Sequence, residues 1–431
     1  MNRKHVELYV FPNEKRIGTL SQDNDTMSFA YVPEYLQSPD AYPLSQNLPL
    51  QDEVFRDPDV ENFFSNLLPD ERIRVTVARV LHVSPENTFG LLKRIGADCA
   101  GAVSFYPPGQ SPQSQQEPMY RDLTEDEAYR ILDNLAQRPL DAGDKGVRIS
   151  GAGSQEKLVA CVRDGKVSLP LYGTPSTHII KPAIPAFPDS VFNEFFCMKL
   201  AKRYGLPVAD CSILTLNEEY FYVVTRFDRD MVDGITVRLH QEDFCQLLNI
   251  PPKLKYQEDG GPGIEDSVNR LLEIHLPAGG RLGFIRMVLF NFLIGNCDAH
   301  AKNYAILYHE GKPSFAPAYD LLSTMVYDTI AKRFAMSIGG ETRMGMLRRA
   351  HFEQMAKSCG LKPKLVLTEL DSMAKACGLK PKLVLTELDD IAKALPSMAQ
   401  SLADELNSQY PSTVYSKCAW EIKKLCLQAM G

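Results

Sequence analysis

The stretch FIRMVLFNFLIGNCDAHAKNY, residues 284–304, decides the fold. Its first half is apolar apart from Arg286 and Asn291, and its second half crowds Asp298, His300, Lys302 and Asn303 into six residues. An apolar run without alternation reads as a buried helix, and the glycine at 295 is the residue that closes one. A buried helix that ends in such a polar cluster delivers it to a site. Cys297, Asp298 and His300 are potential metal ligands, but residues this close along a loop seldom converge on one ion, and no second cluster with zinc-type spacing occurs.

With 431 residues and 44% hydrophobic content, the chain is expected to fold as two or three packed units. The net charge of −7 argues against wholesale binding to nucleic acid. Residues 331–431 nonetheless carry 15 Lys+Arg against 10 Asp+Glu, which leaves room for a basic face there. The start, MNRKHVELYVF, has no apolar signal region, and the longest apolar run falls short of a spanning helix. A cytoplasmic protein without a membrane partner is the expectation. Ten cysteines are scattered singly with no Cys-x-x-Cys pair, so reduced and mostly buried thiols are expected.

Outward from the decisive stretch, residues 5–32 read as a β-meander, with the runs VELYVF, RIGTL and MSFAYV separated by turn-formers. Helical patterns follow in DVENFFSNLLPDERIRVTVARVL and NTFGLLKRIG. YPPGQSPQSQQE has almost nothing to bury and reads as a linker. A helix over roughly 122–140 precedes VRISGAGSQEKLVACV, read as a strand, a glycine turn and a second strand. KVSLPL and THIIKP add strands, SVFNEFFCMKLAKRYG is a helix closed by glycine, and CSILTL with YFYVVTRF forms a hairpin around NEE. Beyond Gln241 helical periodicity dominates, apart from YAILYHE and PSFAPAYD. CGLKPKLVLTEL occurs at 359–370 and again at 377–388. The two copies start 18 residues apart, about five helical turns, and each carries a helix-breaking proline, so stacked helices are expected.

Asp298 and Asn303 stand five apart, as do the catalytic Asp and the metal-binding Asn of the protein-kinase loop. That chemistry needs a carboxylate to take the proton of the attacking hydroxyl, an amide oxygen for Mg²⁺, and a cation such as Lys302 beside the phosphoryl group. Order along the chain strengthens the reading. Glycines in SGAGSQEK could let backbone N–H groups approach phosphates. Lys181 ends the strand HII and Glu194 sits on the next helix, a kinase-like ion pair. TRFDRD lies where a hinge would bind adenine, and Asp320 in APAYDLLS falls where a second Mg²⁺ ligand belongs. Taken alone, Asp320 would read as a helix N-cap for LLSTM.

These residues resemble the HipA family of bacterial toxin serine/threonine kinases, over nearly the whole chain. The matching stretches are PLSQNLPL, FFSNLLPD, RISGAGSQEK, THIIKP, RFDR, QEDFCQ with KYQEDGGPGI, DAHAKN and YDLLS. The resemblance implies an α+β, protein-kinase-like bilobal fold: an N-terminal subdomain at 1–105, a linker at 106–121, an N-lobe at 122–228 and a helical C-lobe at 229–431. It implies Asp298 as catalytic base with Lys302 beside it, and Asn303 and Asp320 as magnesium ligands. Ala152, Gly153, Ser154, Gln155, Glu156, Lys157, Lys181, Glu194, Thr225, Arg226, Phe227, His300 and Tyr319 would bind ATP. Ala299 stands where the family more usually has glycine. Ser150 corresponds to the family's autophosphorylated serine, whose phosphate would repel nucleotide and switch the enzyme off; by itself it reads as a hydroxyl bonding its own turn. The implied partners are a HipB-like helix-turn-helix antitoxin, operator DNA bound mainly through it, and a protein substrate, an aminoacyl-tRNA synthetase of the glutamyl type whose phosphorylation inhibits translation. Arg343, Arg348 and Arg349 are candidates for contact with DNA phosphates. The alternatives are an inactive kinase-like scaffold acting as co-repressor, and a small-molecule kinase.

Overall fold

A computed structural model describes residues 5–112, 118–359 and 384–430. The chain forms two compact units. One comprises Met1–Pro182, Ile213–Lys253 and Ala305–Ser314; the other comprises Ala183–Ser212, Leu254–Tyr304 and Phe315–Gly431. The expected α+β character holds, with sheets concentrated in the first unit and long helices in the second.

The first unit begins with the meander. Strands β1 (His5–Pro12), β2 (Gly18–Asp23), β3 (Thr26–Tyr31), β4 (Phe55–Arg56) and β5 (Val103–Tyr106) form a sheet in the order β4-β3-β2-β1-β5. Alternation puts Leu8, Val10, Leu20, Met27 and Phe29 on one buried face. Helices Asp59–Ser65, Glu71–Leu81 and Thr88–Ile95 cover it with Phe63, Phe64, Ile73, Val77, Leu91 and Leu92. Each such side chain contributes roughly 1.5–3 kcal/mol by burial. The long helical pattern at 59–81 is broken by the segment holding Pro69, which cannot continue a helix.

A second sheet follows, built from β6 (Tyr120–Asp122), β7 (Leu158–Arg163), β8 (Lys166–Pro170), β9 (His178–Lys181), β10 (Cys211–Leu216) and β11 (Glu219–Thr225), in the order β10-β11-β9-β7-β8-β6. Asn217 and Glu218, at φ of 46° and 66°, make the tight β10–β11 turn. The helix expected over 122–140 is shorter, Glu125–Asp133, opened by a Thr124–Glu127 capping box. The strand expected at VRIS is absent. Ile149 makes only an isolated bridge to Asp98, and the Ser150 N–H donates to the Asp98 carbonyl at 2.9 Å, so these backbone groups are used outside the sheet. Two hairpin strands, β12 (Arg229–Val232) and β13 (Ile235–Arg238), lead to β14 (His240–Asp243), which joins β15 (Ala305–His309) and β16 (Lys312–Phe315).

A buried charge network ties this unit together. The Asp98 carboxylate receives Arg226 at 3.4 Å, Arg229 at 2.9 Å, Arg238 at 3.0 Å and the Ser176 hydroxyl at 2.6 Å. Arg226 also clamps Asp228 through two bonds of 2.9 and 2.7 Å. Burial alone would raise the Asp98 pKa, but the guanidiniums of Arg229, Arg238 and Arg226 hold it well below the usual carboxylate range.

In the second unit the helix Ser190–Tyr204 ends at Gly205, whose φ is 94°. The apolar stretch is helical over Ala278–Ile294 and is buried continuously from Met287 to Ile294. Gly295 follows at φ 71°, and a Cβ there would lie 2.5 Å from Met325 Cγ, so both backbone angle and space require glycine. Helical dominance beyond Gln241 is only partly right. β14 precedes the helices, and β17 (Arg333–Ile338) pairs with β18 (Glu341–Arg343) around Gly339 and Gly340. Phe334, Met336 and Ile338 carry the period-2 apolar signal of that strand and are buried. Helices Val384–Gln409 and Val414–Met430 pack on each other, and the latter also on Ala278–Ile294. The repeated segments, apart from Cys359 and residues 384–388, lie outside the described residues. The nine described cysteines are free thiols, eight of them buried. Among the described residues, no helix is long and apolar enough to cross a membrane.

Candidate active site

The loop after Gly295 is fixed by hydrogen bonds of its own. Gly295 accepts from the Thr324 N–H and hydroxyl, both at 3.0 Å, and that hydroxyl accepts the Cys297 N–H at 2.9 Å. Buried Asn296 donates to Asn291 Oδ1 at 2.9 Å and accepts the Asp298 N–H at 3.1 Å. A short 3₁₀ turn, Ala301–Asn303, is closed by the Asn303 N–H to the His300 carbonyl at 2.9 Å and by the His300 N–H to Asn303 Oδ1 at 3.2 Å. The result is a rigid loop with an exposed Asp298 on one side and buried Asn303 on the other.

Asp320 comes to this loop from a separate segment. Asn303 Nδ2 donates to Asp320 Oδ2 at 2.5 Å, and the Tyr319 hydroxyl donates to the Lys302 carbonyl at 2.7 Å. Asp320 is not a helix N-cap; the next turn, Thr324–Val326, starts after Ser323. Its backbone lies at φ 58°, a conformation uncommon for residues other than glycine, asparagine and aspartate. A side-chain amide beside a carboxylate is a donor set that suits a hard cation such as Mg²⁺, which takes few protein ligands. The methyl group of Ala299 is accommodated, since its φ lies outside the left-handed region that demands glycine.

Two residues that touch this arrangement carry no signal of their own in the sequence. Tyr256 donates its hydroxyl to Asp298 Oδ1 at 2.8 Å and sets its ring edge-on to His300, with centroids 5.0 Å apart at 87°. It lies within KYQEDGGPGI, whose only signal in the sequence is its resemblance. Asn193, fully buried beside Glu194, donates to the Ser323 carbonyl at 2.9 Å and accepts the Ser323 N–H at 2.8 Å. It therefore grips the segment that follows Asp320. A run of helical sequence gives no sign of such a role.

In the first unit, Gly153 has φ 103°, and its carbonyl accepts the Asp70 N–H at 3.2 Å. Lys157 donates to the Ala152 carbonyl, and Glu156 pairs with Arg72. The Ser150 hydroxyl is buried and donates to the Leu67 carbonyl, 83 residues away, at 2.6 Å, not to its own turn. Lys181 is buried opposite Tyr222, its Nζ 5.7 Å from the ring centroid. The Arg226 guanidinium is spent on Asp98 and Asp228, and its N–H on the Thr177 carbonyl at 2.9 Å. Of the basic trio, Arg343 is clamped by Glu341 at 2.7 Å, Arg349 lies 3.4 Å from Glu353, and Arg348 donates to the Gly345 and Leu347 carbonyls.

The chain is similar to known proteins over most of its length. Residues 8–106 match the family described as HipA N-terminal domain, and residues 149–380 the HipA-like C-terminal domain. A putative kinase, Y4mE, of Sinorhizobium fredii is 40% identical, the alignment covering 83% of this chain and 87% of that one. The serine/threonine-protein kinase toxin HipA of Shewanella oneidensis is 32% identical over 85% and 86% of the two chains. Among solved structures, one of the Shewanella oneidensis toxin–antitoxin complex of HipA, HipB and operator DNA matches with a TM-score of 0.80 at 26% identity, covering 98% of this chain and 97% of that chain.

Proposed function

The chain belongs to the HipA family, and from that premise we propose that it is a serine/threonine protein kinase of a toxin–antitoxin pair. The observation that carries the reading is the convergence of Asp298, Asn303 and Asp320 on one preformed loop. In the reaction, Asp298 accepts the proton of the substrate hydroxyl as its oxygen bonds to the γ-phosphorus of ATP. The bond from that phosphorus to the β–γ bridging oxygen breaks, and ADP leaves. Asn303 and Asp320 would hold Mg²⁺, which when bound neutralises phosphate charge. Lys302 adds a cation beside the transferring group, and Tyr319 fixes the backbone of Lys302.

In this reading Ala152 to Lys157, Lys181 and the segment Thr225–Phe227 of the first unit are nucleotide-binding residues, as are Glu194 and His300 of the second. Arg226 contributes only backbone, because its guanidinium is committed elsewhere. The domain limits are an N-terminal subdomain to 105, a linker to 121, an N-lobe to 228 and a helical C-lobe thereafter. Ser150 is the autophosphorylation site. A phosphate adds about −1.5 to −2 charges and cannot occupy the buried pocket against Leu67, so modification expels the loop and stops the enzyme. The substrate is a cytoplasmic aminoacyl-tRNA synthetase of the glutamyl type, and a HipB-like antitoxin holds the kinase on operator DNA. Arg348 is the member of the basic trio best placed to reach phosphates, since Arg343 and Arg349 already face carboxylates.

The test is mass spectrometry of the unphosphorylated protein after incubation with Mg-ATP, beside Asp298→Asn. One added phosphate on the Ser150 peptide, absent from the variant, is expected. ATP binding without any phosphate transfer would replace this reading with the inactive scaffold, and transfer to a metabolite alone would replace it with a small-molecule kinase.

A further inference from the structure

We propose that Tyr256 is the positioning residue of the catalytic base; this rests on the kinase reading above. Asp298 is exposed, and an exposed carboxylate turns readily about its last side-chain torsion. A base that must meet one hydroxyl in one orientation cannot be left to rotate. The Tyr256 O–H holds Oδ1 at 2.8 Å and so fixes the plane in which Oδ2 meets the substrate proton.

The tyrosine is itself held in place from three directions. Its ring lies edge-on against His300, two residues from the base. The Lys255 carbonyl accepts the Ala301 N–H at 3.2 Å, which couples the Tyr256 backbone to the loop it serves. On the other side, Gln257 Oε1 accepts the Ser337 N–H at 2.6 Å. Strand β17, which carries Ser337, is bonded back to the same loop through the Ala335 N–H to the Cys297 carbonyl at 3.1 Å. Lys255, Tyr256 and Gln257 thus form a brace running from β17 to the base. Lys255 is almost fully buried, with its Nζ 5.5 Å from the centroid of the Tyr256 ring.

The experiment uses the full-length chain with Tyr256→Phe, which keeps the ring on His300 and removes only the hydroxyl. Phosphate transfer from Mg-ATP, with the Asp298→Asn chain as acceptor, gives a maximal rate and a half-saturating ATP concentration for the variant and the wild type. Thermal unfolding and ATP affinity are measured alongside. The expected result is a rate about tenfold lower, the cost of one charge-assisted hydrogen bond, with ATP affinity within about twofold and the melting temperature unchanged. A maximal rate equal to that of an active wild type overturns the proposal and leaves the kinase reading standing. A parallel loss of ATP affinity also overturns it, by moving Tyr256 into the nucleotide site. A wild-type chain that transfers no phosphate fells both readings together.

Discussion

Ser150 shows how a single residue can be legible in identity and illegible in setting. Its place before the glycine loop is plain from RISGAGSQEK, but a hydroxyl there reads as bonding its own turn, and the partner is the Leu67 carbonyl. No local pattern encodes a partner 83 residues away. Asp320 behaves alike: an isolated Asp before LLS resembles a cap, and only the fold brings it 2.5 Å from Asn303. Removing the Ser150 hydroxyl in Ser150→Ala should cost about 1 kcal/mol in urea unfolding, one neutral hydrogen bond. Ser150→Asp, which forces a carboxylate into the same buried pocket, should cost clearly more. A Ser150→Asp chain as stable as wild type would show that the pocket tolerates charge, and the expulsion of a phosphorylated loop would lose its physical cause.

Elements are legible where their period is strong and local. The apolar helix Ala278–Ile294, the meander and the glycine-closed helix Ser190–Tyr204 all carry their own signals. The hairpin β17–β18 carries one as well, in Phe334, Met336 and Ile338, but it lies among helical sequence that masks it. The strand expected at VRIS fails for the opposite reason, because its alternation is real while its backbone hydrogen bonds are spent on Ala97 and Asp98. Within the second unit, Asn193 couples helix Ser190–Tyr204 to the segment after Asp320 through both Ser323 backbone groups and the Tyr327 hydroxyl at 3.1 Å. Asn193→Ala should therefore destabilise by roughly 3 kcal/mol, since it strands a buried N–H and C=O. Chemical denaturation measures this, and a loss below about 1 kcal/mol would mean that water or a shifted Ser323 replaces the amide.

At the scale of the whole molecule, acid is the condition to watch. Burial lowers the His240 pKa to about 4, and its ring nitrogen lies 2.8 Å from the Leu44 carbonyl. Folded His240 stays neutral where the unfolded chain takes up a proton near 6.5, so stability is full above 6.5 and falls as the pH drops towards 4. The loss is about 3 kcal/mol over that window. Half-buried His178 is shifted in the same direction by its partial burial. Asp98, held below its unfolded value of 3.8, adds a further loss only under still stronger acid. Melting temperature measured from pH 7 to 4.5 should fall for the wild type and more gently for His240→Gln; equal slopes would exclude His240 as the cause.

The Asp98 network has a consequence for how the protein is made. The acid precedes its first arginine partner by 128 residues, and Arg238 comes later still. While the ribosome is still producing the second sheet, the nascent segment between helix Thr88–Ile95 and β5 therefore carries a carboxylate destined for burial with none of its cations yet synthesised. The match that ends at residue 106 marks an evolutionary module, but the chain cannot bury this charge until Arg238 has left the exit tunnel.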